Sequence, residues 1–177
     1  MPTLSGAYTN LGNALRVLGK PEAAVVVLKQ GLELNGQSPA AYTNLGIAMH
    51  AMGASSDSVQ WLALAARMAP TDISVITNLG GALEATSRLT EAQAAYERGV
   101  ELHMNRGKVL RRAGRLEEAV TAFYDYMYLY LYTTALQLEP TGSHPIAPHP
   151  APSHTWNSSY DPLQVLARLS PTMISPP

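Results

Sequence analysis

Apolar residues in the first ninety positions recur at helical rather than strand spacing. Tyr8, Leu11 and Leu15 stand three and four apart, on one face of a helix. Ala24, Leu28 and Gly31 form a second stripe of the same kind after a turn at Gly19. The pattern then returns. Thr9-Asn10-Leu11-Gly12 reappears as Thr43-Asn44-Leu45-Gly46 and as Thr77-Asn78-Leu79-Gly80, each time after 34 residues. A fixed period of this length marks a stack of identical structural units. Three full units follow, 5–38, 39–72 and 73–106, each predicted as two helices joined by a turn.

Small and large residues alternate in register across the units. Gly12, Gly46 and Gly80 share one position, and Ala24, Ser58 and Ala92 another. Leu28, Leu62 and Tyr96 are the matching large residues. Glycine inside a helix costs about 0.5–1 kcal/mol relative to alanine. Its recurrence at one position therefore predicts a close approach between helices that offsets this cost. The turn carries Gly19 and Gly53, but Ser87 in the third unit. Ser38-Pro39 reads as an N-cap followed by proline at the first helical position, and Asp72 as a cap for the third unit. One unit cannot bury its own apolar stripe, so stacking is required.

These positions together resemble the tetratricopeptide repeat, over roughly residues 5–140. The resemblance implies an all-α, right-handed superhelix of helix–turn–helix units and a role in protein binding. A fourth unit, 105–140, is irregular. Gly107, Leu110, Gly114, Leu116, Ala119 and Phe123 fit the pattern, but Leu102 to Gly107 is seven residues short of the regular spacing. Phe123 to Ala135 is nine residues longer than the regular spacing, through Tyr124-Asp125-Tyr126-Met127-Tyr128-Leu129-Tyr130-Leu131-Tyr132. This insert alternates with period two, like a strand, yet both flanks are helical. An extension of the second helix is favoured over a strand. Its tyrosines, with little charge among them, favour self-association.

Beyond Pro140 the composition changes. Residues 141–177 are rich in proline and hold only Asp161 and Arg168 as charged residues, the signature of a disordered or polyproline II tail. Within it, 162–169 reads as a short helix behind Asp161. His144, His149 and His154 lie in this segment without a rigid frame, so no metal site is expected. The rest of the composition mainly excludes. The formal net charge of −1 gives no drive toward nucleic acid or an acidic membrane. The absence of cysteine rules out disulfides and thiol chemistry. No basic and apolar leader opens the chain, and no apolar run reaches membrane-spanning length. A cytoplasmic or nuclear location is expected, without cofactor or metal. No nucleophile–base pair, phosphate loop or carboxylate pair marks an enzyme.

Three groups of residues remain as candidates for binding. Asn10, Asn44 and Asn78, with Asn105 in the irregular unit, share a position offset from the buried stripe and are expected to line the concave surface. A row of carboxamides there can hydrogen-bond an extended peptide backbone whatever its side chains. Thr9, Thr43 and Thr77 are expected to add a parallel row of hydroxyls. Lys108, Arg111 and Arg112 fall at i, i+3 and i+4 in a basic cluster with Arg106 and Arg115. They are expected to receive acidic peptides or to serve as a solvated face paired with Glu117 and Glu118. They do not match the two-carboxylate clamp of chaperone-binding tetratricopeptide domains, since the first unit has no equivalent lysine. The asparagine row resembles that of the O-linked N-acetylglucosamine transferases and SPINDLY proteins, where it contacts the substrate polypeptide. This resemblance implies, as an alternative to a free-standing scaffold, the substrate-selecting part of such an enzyme without its catalytic region. Self-association through the uncapped end of the array is a third expectation.

Overall fold

The computed structural model describes residues 3–138, with side chains to residue 134. The tail 141–177, with its three histidines and the candidate helix 162–169, lies outside them. Seven helices form the described chain, and no strand occurs among the described residues. They are α1 (Leu4–Val17), α2 (Pro21–Leu34), α3 (Pro39–Ala51), α4 (Ser55–Met68), α5 (Ile73–Ala85), α6 (Leu89–Arg112) and α7 (Leu116–Leu138). The chain divides into two compact units, Met1–Ala95 and Tyr96–Pro177, with α6 running across the division.

In unit one each repeat closes as its sequence requires. The Thr3 hydroxyl caps α1, Ser38 caps α3 ahead of Pro39, and Asp72 caps α5. The first helix of each repeat ends in a left-handed residue. Gly19 has φ 71° and Gly53 φ 78°, while Ser87 adopts φ 59° at the same place. The backbone bonds are those of a Schellman turn, with Gly19 N–H to the Arg16 carbonyl and Lys20 N–H to the Leu15 carbonyl. Residues 53–54 and 87–88 repeat this pair of bonds.

The small positions explain how closely the helices approach. A Cβ added at Gly12 would lie 2.4 Å from Cγ of Leu28, and one at Gly46 would lie 2.6 Å from Cγ of Leu62. Gly31 is equally tight against Tyr8, whose Cβ would be 2.7 Å away. Beside it, the Ser5 hydroxyl donates to the Gly31 carbonyl at 3.1 Å. The core is built between successive repeats: Ala24, Val25 and Leu28 of α2 pack with Ala41, Leu45, Ala48 and Met49 of α3. Trp61 is half-buried at the edge of this core, with its ring stacked on Tyr42 at 5.8 Å.

The described part of unit two is an antiparallel helix pair. Gly107 takes the place of the packing glycine, where an added Cβ would lie 2.7 Å from Cε1 of Phe123. Leu110 packs with Ala119 and Ala122, and Tyr96 meets Tyr132 edge-on at 5.3 Å. Gly114, at φ 74°, makes the turn. The seven residues missing before Gly107 are those that hold the inter-repeat turn elsewhere, Asn35-Gly36-Gln37-Ser38 in the first unit. No proline remains near 105–106, and Gly107 serves as a packing position against Phe123, so α6 runs through it. The tyrosine-rich insert is helical and lengthens α7. Tyr126 and Tyr130 stack one turn apart at 6.0 Å, while Leu129, Tyr132 and Thr133 are buried. Helix continuity from both flanks overrides the period-two pattern.

Candidate functional site

Two surfaces carry the residues singled out in the sequence, one on each unit. In unit one, α1 packs beside α3 and α3 beside α5, whereas α2 and α4 do not touch each other. The first helices of the repeats are thus drawn together while the second helices splay apart. The surface lined by α1, α3 and α5 lies on the inside of the curve within this unit.

Asn10, Asn44 and Asn78 occupy the same turn of these three helices. Asn10 is exposed, and Asn44 and Asn78 are half-buried. Nδ2 of Asn78 donates to the Ser74 carbonyl one turn back, at 2.7 Å, which leaves its Oδ1 available as an acceptor. The side chains of Asn10 and Asn44 form no hydrogen bond with another described residue. Their helical neighbours are small or uncharged: Gly6 and Asn13 on α1, Ala40 and Ile47 on α3, Ser74 and Gly81 on α5. This uncharged bed of mostly short side chains, not singled out from the sequence, leaves a ligand backbone room to approach the carboxamides. Its signal was present at three and four residues from each asparagine.

The threonines are a correction. Thr9 and Thr43 are buried, and Thr77 is half-buried. Each hydroxyl donates back within its own helix: Thr9 to the Ser5 carbonyl at 3.0 Å, Thr43 to Pro39 at 2.8 Å, and Thr77 to Ile73 at 2.9 Å. A residue next to asparagine is turned 100° around the helix, toward the packed side. There a threonine satisfies itself on the carbonyl four residues back. The expected second row of ligand donors is therefore not formed.

In unit two, Asn105, Lys108, Arg111 and Arg112 are all exposed on α6. Arg115 is committed elsewhere, in a two-bond pair with Glu118 at 2.6 Å. Lys108, Arg111 and Arg112 make no ion pair among the described residues, so the expected pairing with Glu117 and Glu118 extends only to Arg115. Deeper in this unit, Nδ1 of His103 on α6 lies 3.7 Å from a carboxylate oxygen of Asp125 on α7. Burial, followed by the charge of Arg106, pushes the His103 imidazole down to about 4. Burial also raises the Asp125 carboxyl, against a smaller opposing effect of Arg106. At neutral pH His103 is therefore uncharged, and the contact is not an ion pair.

Chemistry beyond binding finds little to work with. No group of three His, Asp or Glu side chains among the described residues is placed to hold a metal ion. An open cleft of about 260 Å³ beside Trp61 is lined by Gln60, Ala63, Leu64 and Arg67, all on α4. Among the described residues, no helix is long and apolar enough to cross a membrane.

Comparison with known proteins agrees with the repeat. A family model described as TPR repeat matches residues 12–53, and one described as Tetratricopeptide repeat matches residues 78–132; together they span more than half of the chain. No curated protein matches the sequence. Among solved structures, the first TPR of Spaghetti (RPAP3), bound to the HSP90 peptide SRMEEVD, is 21% identical. It covers 70% of this chain and 96% of its own, with a TM-score of 0.57. The first TPR domain of the human RPAP3 protein is also 21% identical, over 71% of this chain and 97% of its own, with a TM-score of 0.56. MamA is 21% identical over 75% of this chain and 82% of its own, with a TM-score of 0.54. At this identity the likeness speaks for the fold. The resemblance to O-linked N-acetylglucosamine transferases continues to rest on the asparagine row alone. With two family models, the structural likeness and the 34-residue period in agreement, the chain carries tetratricopeptide repeats.

Proposed function

We propose that this chain is a protein-interaction module that holds an extended peptide segment of another protein against α1, α3 and α5. One observation carries the reading. Asn10, Asn44 and Asn78 stand at the same turn of three adjacent helices, and Asn10 and Asn44 have no hydrogen-bond partner among the described residues. Helices in contact are spaced about 8–10 Å apart. An extended chain advances about 3.3 Å per residue, so carboxamides at that spacing meet backbone groups about three residues apart in a slightly inclined peptide. Affinity in this arrangement comes from hydrogen bonds to the peptide backbone more than from any side-chain pocket. The peptide-bound RPAP3 domain, similar in fold, supports a protein ligand. Lys108, Arg111 and Arg112 form a separate patch of available cations on unit two and favour acidic segments. No catalytic step is assigned to the chain.

A peptide array probed with wild type and with the Asn10→Ala/Asn44→Ala/Asn78→Ala variant tests the reading. Each lost bond is worth about 0.5–1.5 kcal/mol, so the triple variant should bind on the order of a hundredfold more weakly to the same peptides. Equal binding by both proteins, with the helical circular dichroism unchanged, would sink it. Thr9→Val/Thr43→Val/Thr77→Val is the control. Because those hydroxyls face their own helices, it should retain wild-type binding.

A further inference from the structure

The first helix exposes a face that the later repeats bury. Leu4, Ala7, Leu11, Ala14 and Leu18 follow one another at intervals of three and four, along one side of α1 and its C-cap. All five are exposed; Leu4 is 65%, Leu11 51% and Leu18 70% accessible. One repeat later, the same positions include Ala41, Leu45 and Ala48, which are at most 1% accessible because α2 packs on them. The α1 stripe is therefore shaped to take a helix and has none against it among the described residues.

The order of residues in the stripe identifies the occupant. Leu-Ala-Leu-Ala-Leu reads the same in both directions about Leu11. We propose that α1 pairs antiparallel with α1 of a second copy of this chain, about a twofold axis at Leu11. Leu4 then faces the second copy's Leu18, and Ala7 faces its Ala14. A twofold interface must be self-complementary in this way, since each patch meets itself. Alanine between leucines lets the helices approach closely, as the glycines do inside the repeat. Electrostatics agree with the pairing. Arg16 is the only charged residue from Leu4 to Leu18; it lies off the stripe and bonds Asn13 at 2.9 Å. The antiparallel arrangement also sets each helix's partially positive start beside the other's partially negative end. The proposal does not rest on the peptide-binding reading.

Sedimentation equilibrium and single-cysteine cross-linking test the proposal, the latter made simple by a chain without cysteine. Wild type should show a concentration-dependent dimer, and Leu11→Asp should weaken it by at least about tenfold. Leu11→Cys should oxidise to a covalent dimer. Leu4→Cys alone and Leu18→Cys alone should not, because fourteen helical residues separate like positions by about 21 Å in the antiparallel pair. Mixing Leu4→Cys with Leu18→Cys should restore the link. A monomer at every concentration overturns the proposal, as does a dimer unaffected by Leu11→Asp. Open-ended polymers would mean head-to-tail stacking, and self-linking of all three cysteine variants would mean a parallel pair; either result also overturns it. If Leu11→Asp does not fold, the cysteine variants decide the matter alone.

Discussion

Single positions in this chain are set by what lies across a helix pair. Gly46 has no room for a side chain, because an added Cβ would meet three carbons of the buried Leu62 at 2.6, 3.1 and 3.3 Å. Alanine would improve helix propensity by about 0.5–1 kcal/mol. Overpacking costs about 1–3 kcal/mol, so the clash wins. Gly46→Ala should lower the unfolding free energy by about 1–2 kcal/mol in urea titration. Ser58 points the other way. Its hydroxyl is fully buried and has no hydrogen-bond partner among the described residues. Ala24 and Ala92 fill the same position in the neighbouring repeats. Ser58→Ala removes an unsatisfied group at little loss of volume and should stabilise the fold by about 1 kcal/mol, read from the same titration. The small–large pairing behind both predictions was legible in the sequence, because a helix tolerates glycine again and again at one position only where a neighbour sits against it. The direction of the threonines was not. An adjacent asparagine and threonine look alike as polar residues, and only the 100° turn between them decides which one faces a carbonyl of its own helix.

At the scale of the helix, the two departures from the 34-residue period have opposite local effects and one structural result. A missing inter-repeat turn lets α6 run through 105–106, and nine extra residues lengthen α7. Both helices therefore outlast those of unit one and face each other over a longer contact, from Tyr96 against Tyr132 to Leu110 against Ala119. Both irregularities can be located in the sequence by counting residues. The alternation of tyrosines carried no decision by itself, since period-two polarity is compatible with a helix whose flanks are helical. The lengthened pair also encloses His103 and Asp125, which no pattern had marked. His103 titrates near 6.5 when unfolded and at about 4 when folded. Between those values the unfolded chain holds the extra proton, so His103 makes the fold less stable as pH falls through this window. Asp125, with its raised carboxyl, acts in the opposite sense, because the folded state takes up its proton first. Thermal unfolding followed by circular dichroism should show the melting temperature of wild type declining from pH 6.5 toward 4. His103→Gln should decline less over the same range. Parallel curves would show that His103 is not the group responsible.

For the molecule, the repeat builds two kinds of surface from one pattern. Residues at the Leu11 position turn sideways along the stack, and those at the Asn10 position turn toward the inside of the curve. Leu45 is buried by the repeat before it, while Leu11 has no helix against it among the described residues. That this position belongs to a packed face could be read from the sequence, but which copy of it stays open could not, because Leu11 and Leu45 stand in the same apolar spacing. The free carboxamides could not be distinguished there from self-bonded ones; Asn78 donates within its own helix, and Asn10 and Asn44 do not. The claim that ties these features to function is that the asparagines bind a peptide backbone without reading its side chains. Isothermal titration of the tightest array peptide tests it most directly, comparing an alanine-scanned set with versions N-methylated at alternate residues. The account predicts that most alanine substitutions change affinity by less than about threefold, while N-methylation at the contacted residues lowers it by at least about tenfold. Tolerance of N-methylation, with affinity lost at one or two alanine positions, would contradict it.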